Sequence, residues 1–310
     1  MKCLILGGAG FIGSNLAAHL LERGVQVSVM DSQPERLASM QARLPKLVCH
    51  CGSAEQSNFL AEIISGQDVL VYLIHTTIPS VSEEDPGYDA VSNIRMLLAV
   101  INAAGKAGVR RIVQSSSGGT VYGRANAVPI TESHPTDPLC AYGISKLAIE
   151  KYVRLYCSRS NIESVVLRVA NPFGPGQALR AAQGAVSVFL GRMMNGEPIE
   201  IWGDGNVVRD YIYIQDVVEA FEAAALKPLN EPHPVLNIGT GVGTSLRELI
   251  EILESVSGLR AEVSYRPARA LDVPTNVLDI RYAKQLLDFA PRYSLRDGLE
   301  KYWKSLSAKS

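Results

Sequence analysis

No apolar run in this chain approaches the roughly 18 residues that a membrane-spanning helix requires. Charge of either sign is nearly balanced, with a formal net charge of −1 over 310 residues. No basic footprint for nucleic acid or an anionic membrane therefore stands out. Internal repeats, low-complexity segments and charge blocks are absent. The five cysteines are an odd number in a large chain, which fits reduced thiols and argues against a disulfide framework. Cys49-His50-Cys51 has the residue types of a metal site, but no second cluster stands at ligand spacing, so no metal is expected. Lys2 followed by Cys3-Leu4-Ile5-Leu6 starts like a signal peptide, yet Gly7, Gly8, Gly10 and Gly13 break the stretch and no cleavage region follows. The expectation is a cytoplasmic protein.

What is present is a soluble globular composition, 47% hydrophobic and 20% charged. The length suffices for one large domain or two ordinary ones. Lys2 to Leu6 reads as a short buried strand, and Gly7-Gly8-Ala9-Gly10-Phe11-Ile12-Gly13 follows it. An amphipathic helix then runs from Ser14 to about Arg23, and Val25 to Met30 is a second strand ending at Asp31. Glycines of this spacing let a backbone approach a pyrophosphate, and the helix N-terminus stabilises its charge. Asp31 is placed to accept hydrogen bonds from both ribose hydroxyls of an adenosine and to repel a 2′-phosphate, which favours NAD over NADP. A glycine turn alone also serves plain conformational needs; the flanking strands and the acid make the dinucleotide reading. The Gly-Lys-Ser/Thr ending of a nucleoside triphosphatase loop is missing.

Strand and helix signals keep alternating. Leu47 to Cys49 and Asp68 to Ile74 read as strands with a helix at Phe59 to Ser65 between them. His75 to Asp89 reads as a polar loop at a strand's C-terminal end, where open α/β sheets bind ligands. A helix over Asn93 to Ala107 precedes a strand at Arg111 to Ser115, which runs into Ser115-Ser116-Ser117-Gly118-Gly119-Thr120-Val121-Tyr122-Gly123. That hydroxyl-rich strand end could hold a substrate oxygen or could be ordinary turn chemistry. Ser164 to Val169 is a further strand. Beyond it Pro, Gly and aromatic residues become dense, until Val235 to Ile238 reads as one more buried strand, followed by a helix at Ser245 to Val256 and a strand near Ala261 to Tyr265.

Between these lies Ala141-Tyr142-Gly143-Ile144-Ser145-Lys146. In a helix Tyr142 and Lys146 share one face, one turn apart. Chance gives roughly 0.4 Tyr/Lys pairs at this spacing in such a chain, so the pair carries little by itself. Its chemistry is nonetheless specific. Making a tyrosine basic at neutrality takes about 4 kcal/mol of differential stabilisation, and a fixed ammonium in a partly dry site can supply energy on that scale.

Together these motifs resemble the extended short-chain dehydrogenase/reductase superfamily, most closely its NAD-dependent nucleotide-sugar epimerases of the UDP-glucose 4-epimerase type. The residues carrying the resemblance are the glycine turn with Asp31, Ser-Ser-x-x-x-Val-Tyr-Gly, Tyr142-x-x-x-Lys146, Asn171-Pro172-Phe173-Gly174-Pro175-Gly176 and Arg209-Asp210-Tyr211. The fold implied is an α/β, doubly wound parallel sheet of Rossmann type over residues 1–170, with a returning strand near 235–239. A smaller α/β lobe for the nucleotide sugar would occupy 171–310.

The resemblance implies that Tyr142 is the general base and that Lys146 binds the nicotinamide ribose and lowers the tyrosine pKa. NAD would lie along Gly7, Gly10, Phe11, Ile12, Gly13, Asp31, Gly52, Ser53, Leu73, His75, Asn93 and Ser115, with Tyr142 and Lys146. Ser53 stands where the family usually has an aspartate. Substrate contacts would come from Ser117, Thr120, Tyr142, Asn171, Arg209, Arg269, Asp272 and Asn276, the arginines gripping a diphosphate through their planar forks. On residue type alone Arg209 is equally a surface ion-pair partner. Counting back from Val121, the family's catalytic hydroxyl position falls on Gly118; Ser117 is taken as the hydroxyl instead, with Thr120 as a secondary sugar contact. Gly119 and Thr120 replace the Asp-Glu pair of the dehydratase branch, which disfavours water elimination. Asn276 is smaller than the tyrosine that restricts the sugar's C2 substituent in some relatives, so an N-acetyl group would fit.

The implied activity is 4-epimerisation of a UDP-sugar through a transient 4-keto intermediate. The alternatives are a reductase, dehydratase or decarboxylase of the same superfamily, or a non-catalytic NAD sensor. The helices at Asn93 to Ala107 and Tyr142 to Ser158 resemble those that pair into a four-helix bundle in family homodimers.

Overall fold

The computed structural model describes residues 1–77, 79–179, 184–268 and 273–307. The first half alternates strand and helix: β1 (Lys2–Leu6), α1 (Phe11–Glu22), β2 (Gln26–Asp31), α2 (Pro34–Arg43), β3 (Val48–Cys51), α3 (Ser57–Ile64), β4 (Val69–Tyr72), α4 (Pro79–Ser82), α5 (Pro86–Ala107), β5 (Arg111–Ser117), α6 (Ala141–Arg159) and β6 (Glu163–Val169). The second half holds β7 (Asn171–Phe173), α7 (Ala185–Asn195), β8 (Ile199–Trp202), β9 (Val208–Tyr213), α8 (Ile214–Leu226), β10 (Val235–Ile238), β11 (Gly243–Ser245), α9 (Leu246–Ser257), β12 (Val263–Arg266), β13 (Thr275–Asn276), α10 (Arg281–Leu287) and α11 (Leu295–Ser307).

Seven strands form a parallel sheet in the order β10-β6-β5-β4-β1-β2-β3, the doubly wound arrangement expected from the alternation. Successive residues of each strand face opposite layers. Cys3 and Ile5 pack beneath α1, α2 and α8, while Leu4 and Leu6 pack beneath α3, α5 and α6. Burial on both faces explains the unbroken apolar runs, each fully buried aliphatic side chain contributing about 1.5–3 kcal/mol. The first of the two cores continues into the second half through Phe173, Phe189, Leu249 and Tyr302. Because β10 pairs with β6 and α8 packs on α1, the chain crosses back over the sheet after its first six strands. A smaller sheet of β11, β9 and β13, joined by β7, and the pair β8–β12 stand beside the carboxyl ends of the main strands.

Three segments differ from the sequence reading. The expected loop at His75 to Asp89 contains α4 and the first turn of α5, which begins seven residues before Asn93. The onset is set by Asp85, whose carboxylate accepts from the Tyr88 N–H at 2.8 Å, and by Pro86 in the first turn. Pro34 starts α2 in the same way, burying Leu37 and Met40. The stretch after 171 read as irregular, yet α7 and α8 are regular helices, α8 burying Val217, Val218, Phe221, Ala224 and Ala225. No helix among the described residues is long and apolar enough to cross a membrane.

Candidate active site

The turn between β1 and α1 is built from backbone. Gly7 adopts φ +80°, and the amides of Gly7 and Gly8 both donate to the Met30 carbonyl, at 2.8 and 3.1 Å. Gly13 packs so close that a Cβ there would lie 2.7 Å from the Gly7 carbonyl oxygen. Gly10 is the N-cap of α1 and no side chain caps that helix, so the first-turn N–H groups are left for an anion. Phe11 lines the cavity beside Gly10, and Ile12 is half-buried against the core. Asp31 accepts from the Ala9 N–H at 3.0 Å and the Gln33 N–H at 3.2 Å, which fixes its carboxylate beside the turn. The backbone of Leu73 and Ile74 lies against Gly7. These groups fit a dinucleotide: a cradle of backbone donors that a Cβ would fill, with an acid at its end.

Gly52 and Ser53 follow β3. Gly52 packs under the Phe59 ring, and the Ser53 hydroxyl accepts from the Glu55 N–H at 3.2 Å. Asn93 is fully buried, with its amide committed to Thr76 and Asp89. It therefore braces the loop after β4.

A cavity of about 1270 Å³ runs from Arg36 and Arg43 past Gly10 and Ser117 to Trp202 and Arg209. That exceeds the roughly 300–1,000 Å³ of an ordinary small-molecule site and leaves room for two ligands end to end. Cys140, the residue before α6, lines it. As the helix N-cap it offers no side-chain bond; instead Glu83 accepts from the Ala141 N–H at 2.7 Å and Ser82 from the Tyr142 N–H at 3.2 Å. A Cβ at Gly143 would lie 2.9 Å from the Thr120 carbonyl oxygen, so the helix start is seated on the hydroxyl-rich turn.

Tyr142 and Lys146 share one face of α6, with the Lys146 Nζ 5.6 Å from the phenol ring centroid and donating to the Ser115 carbonyl at 3.2 Å. Lys146 is 4% exposed. Burial pushes its pKa down to about 8, against the opposing pull of Glu150 and Asp89. The Tyr142 phenol is pushed up, first by burial and then by Cys140 and Asp89 nearby. A phenol lowered by Lys146 was the sequence expectation; here burial, with Cys140 and Asp89, raises it.

Gly118 continues the sheet, its N–H donating to the Val169 carbonyl at 2.8 Å. A side chain at 118 would point away from the cavity into Leu278, whose Cδ1 would be 2.5 Å from the Cβ. Ser117, Gly119 and Thr120 line the cavity, and the Thr120 hydroxyl is buried without a partner. Ser116 faces the opposite side, donating to Glu150. Glu150 is clamped by Arg168 at 2.7 Å, and Arg168 also donates to the Tyr122 hydroxyl at 2.9 Å. This buried pair ties α6 to β6 behind Lys146. Replacing Arg168 by Met would strand the Glu150 carboxylate, so urea denaturation should show a loss of about 3–5 kcal/mol.

At the far end Asn171, Arg209 and Tyr211 line the cavity, Arg209 and Tyr211 on one face of β9. Asn171 donates to the Asp210 carbonyl at 2.9 Å, and Arg209 to the Val273 carbonyl at 2.8 Å. The Tyr211 hydroxyl is buried without a partner. Asn276 is 1% exposed and donates to the Gly118 carbonyl at 3.0 Å, so it buttresses the turn beneath the cavity. Its Oδ1 is buried without a partner. Arg269 and Asp272 lie outside the described residues. The sequence reading missed Arg36, Glu83, Cys140, Trp202 and Tyr211 as cavity residues. Tyr211 alone had a signal, its two-residue spacing from Arg209 on a strand.

The family model for the NAD dependent epimerase/dehydratase family matches residues 3–239. A putative UDP-glucose 4-epimerase of Methanocaldococcus jannaschii is 33% identical over 300 residues, 96% of this chain and 96% of that protein. A dTDP-4-dehydro-6-deoxyglucose reductase of Escherichia coli is 32% identical over 311 residues, 99% of this chain and 98% of that protein. The crystal structure of a UDP-glucose 4-epimerase from Thermotoga maritima with UDP-glucose superposes with a TM-score of 0.92 at 34% identity, covering 100% of this chain and 99% of that one.

Proposed function

The chain belongs to the NAD dependent epimerase/dehydratase family, and from that premise we propose that it is a cytoplasmic NAD-dependent nucleotide-sugar 4-epimerase. Its substrates are UDP-glucose and UDP-galactose or their N-acetyl forms. One observation carries the reading: Tyr142 and Lys146 stand on one face of α6, whose start is seated on the Ser117–Thr120 turn, and that turn lines a cavity running from Gly10 to Arg209. Residues 1–170 with β10 form the cofactor unit, and the remainder of 171–310 forms the nucleotide-sugar lobe.

Gly7, Gly10 and Gly13 hold the cofactor's pyrophosphate and Asp31 its adenosine ribose, while Lys146 holds the nicotinamide ribose. NAD, when bound there, would supply the acceptor and donor for the C4 hydrogen. Tyr142 takes the proton from the C4 hydroxyl as the C4 carbonyl forms, with Ser117 hydrogen-bonded to the same oxygen. Arg209, Asn171 and Tyr211 keep the nucleotide diphosphate in place while the 4-keto sugar turns. Tyr142 then returns the proton to the oxygen on the other face. Incubation with UDP-glucose and with UDP-N-acetylglucosamine should give C4-inverted products by NMR, with no net change in cofactor redox state. Steady consumption of NADPH without inversion would instead support a reductase.

Glu83 lines the same part of the cavity as Cys140 and Thr120. A second carboxylate on the sugar, roughly 6 Å away at an effective dielectric near 20, would be repelled by about 2–3 kcal/mol. UDP-glucuronate should therefore show a kcat/KM roughly tenfold or more below that of UDP-glucose, and Glu83→Gln should narrow the ratio in steady-state assays. Exposed apolar residues on the outer faces of α5 and α6, among them Val91 and Ile144, support a homodimer through these helices. Light scattering at the monomer mass would refute it.

A further inference from the structure

After β4 the chain leaves the sheet through Leu73, Ile74 and His75. The His75 side chain is 7% exposed, and its ring stands edge-to-face on Tyr142, with centroids 4.5 Å apart and planes at 71°. Its Nε2 is 3.4 Å from the Asp89 Oδ1, and neither ring nitrogen makes a hydrogen bond. Asp89 is fully buried and accepts from the Thr77 hydroxyl, from Asn93 Nδ2 at 3.1 Å and from the Ser145 hydroxyl. Ser145 lies on α6 between Tyr142 and Lys146. Three segments, the end of β4, the first turn of α5 and the start of α6, thus converge on one imidazole.

Buried polar side chains are seldom left without partners, and an aliphatic residue would fill this space at less cost. The arrangement is therefore not explained by packing alone. Burial and the Lys146 charge push the imidazole pKa down to about 2, so the ring is a neutral wall rather than a proton donor. The titratable groups facing it are Tyr142 and Lys146 from α6 and Asp89 from α5. Cys140 and Asp89 act on the phenol, and Asp89 with Glu150 acts on the ammonium.

We propose that His75 is a positioning residue for Tyr142: its ring, packed edge-to-face on the phenol, fixes that phenol on α6. It rests on the reading of Tyr142 as the base. A reacting group displaced by about 1 Å loses on the order of a hundredfold in rate, so a clamp of this kind acts on turnover rather than on substrate binding.

The test uses NAD-loaded His75→Ala, His75→Phe and Asp89→Asn enzyme on UDP-glucose, with cofactor content and melting temperature recorded. His75→Ala should lower kcat by roughly tenfold or more while KM stays within about threefold. His75→Phe keeps an aromatic edge against Tyr142 and should recover kcat to within about threefold of the parent. Asp89→Asn should move the acidic limb of the kcat–pH profile to lower pH, because removing a negative charge near the phenol eases its ionisation. Parental kcat in His75→Ala, or no rescue by Phe, or an unmoved acidic limb overturns the proposal. Should His75→Ala fail to fold, the Phe and Asn variants decide it alone: a crippled kcat in Phe or an unmoved limb in Asn overturns it. An active Tyr142→Phe enzyme would sink the underlying reading, whereas an inactive one beside parental His75 variants sinks only this inference.

Discussion

Replacing Tyr142 by Phe is expected to lower kcat by about a thousandfold while the purified protein still carries NAD. A positioned acid–base group contributes roughly 10²–10⁴-fold, and in the proposed mechanism Tyr142 serves in both halves of the reaction. Deleting its oxygen removes the phenol on the face of α6 shared with Lys146, and in the proposed mechanism leaves Ser117 as the remaining hydroxyl on the reacting oxygen. Fold and cofactor should be spared. The ring keeps its edge-to-face packing on His75, and the amide of residue 142 still donates to Ser82. A thousandfold is about 4 kcal/mol of transition-state stabilisation. Turnover within a few fold of the parent would remove Tyr142 from the chemistry.

Gly13→Ala is expected to purify without NAD and to lose activity for that reason. The added methyl would meet the Gly7 carbonyl oxygen at 2.7 Å, the Gly8 Cα at 2.7 Å and the Gly8 carbonyl oxygen at 2.8 Å. All three are backbone atoms of the turn proposed to present its N–H groups to the pyrophosphate, so relief requires moving the cradle itself. Overpacking of this kind costs about 1–3 kcal/mol of stability; the effect on binding should be larger, a Kd raised roughly a hundredfold, because each donor is displaced together. Gly10→Ala provides the contrast, since its Cβ meets only the Gly7 carbonyl oxygen, at 3.3 Å. Cofactor release on denaturation, quantified by chromatography, checks both. A Gly13→Ala protein with a full complement of NAD would contradict the account of the turn.

What the sequence made legible was local. The strand, glycine turn, helix, strand and Asp31 lie within about thirty residues, and each step follows from short-range geometry. The Tyr142/Lys146 pair was legible for the same reason, as one turn of one helix. What stayed hidden depends on contacts between distant segments. Glu83 and Ser82 cap α6 across almost sixty positions of chain. His75, Asp89 and Ser145 meet only because β4, α5 and α6 are neighbours in the fold. Gly118 read as a missing hydroxyl; the structure supplies the reason for a glycine there, since a side chain would collide with Leu278. Asn276 reads from its place near Asp272 as leaving room for an N-acetyl group, and its Nδ2 donates to the Gly118 carbonyl beneath the turn. The start of α5 was missed although Asp85-Pro86 is a helix-start signal, because the polar, proline-containing stretch around it reads equally as loop.

The central claim is that the hydrogen removed from C4 returns to C4 within one active site, on the opposite face of a sugar that has turned. UDP-glucose carrying deuterium at C4 tests it directly. The account predicts a C4-inverted product that retains the label, in water, with no deuterium appearing in free cofactor. Loss of the label to solvent, or its release in reduced dinucleotide, would contradict it.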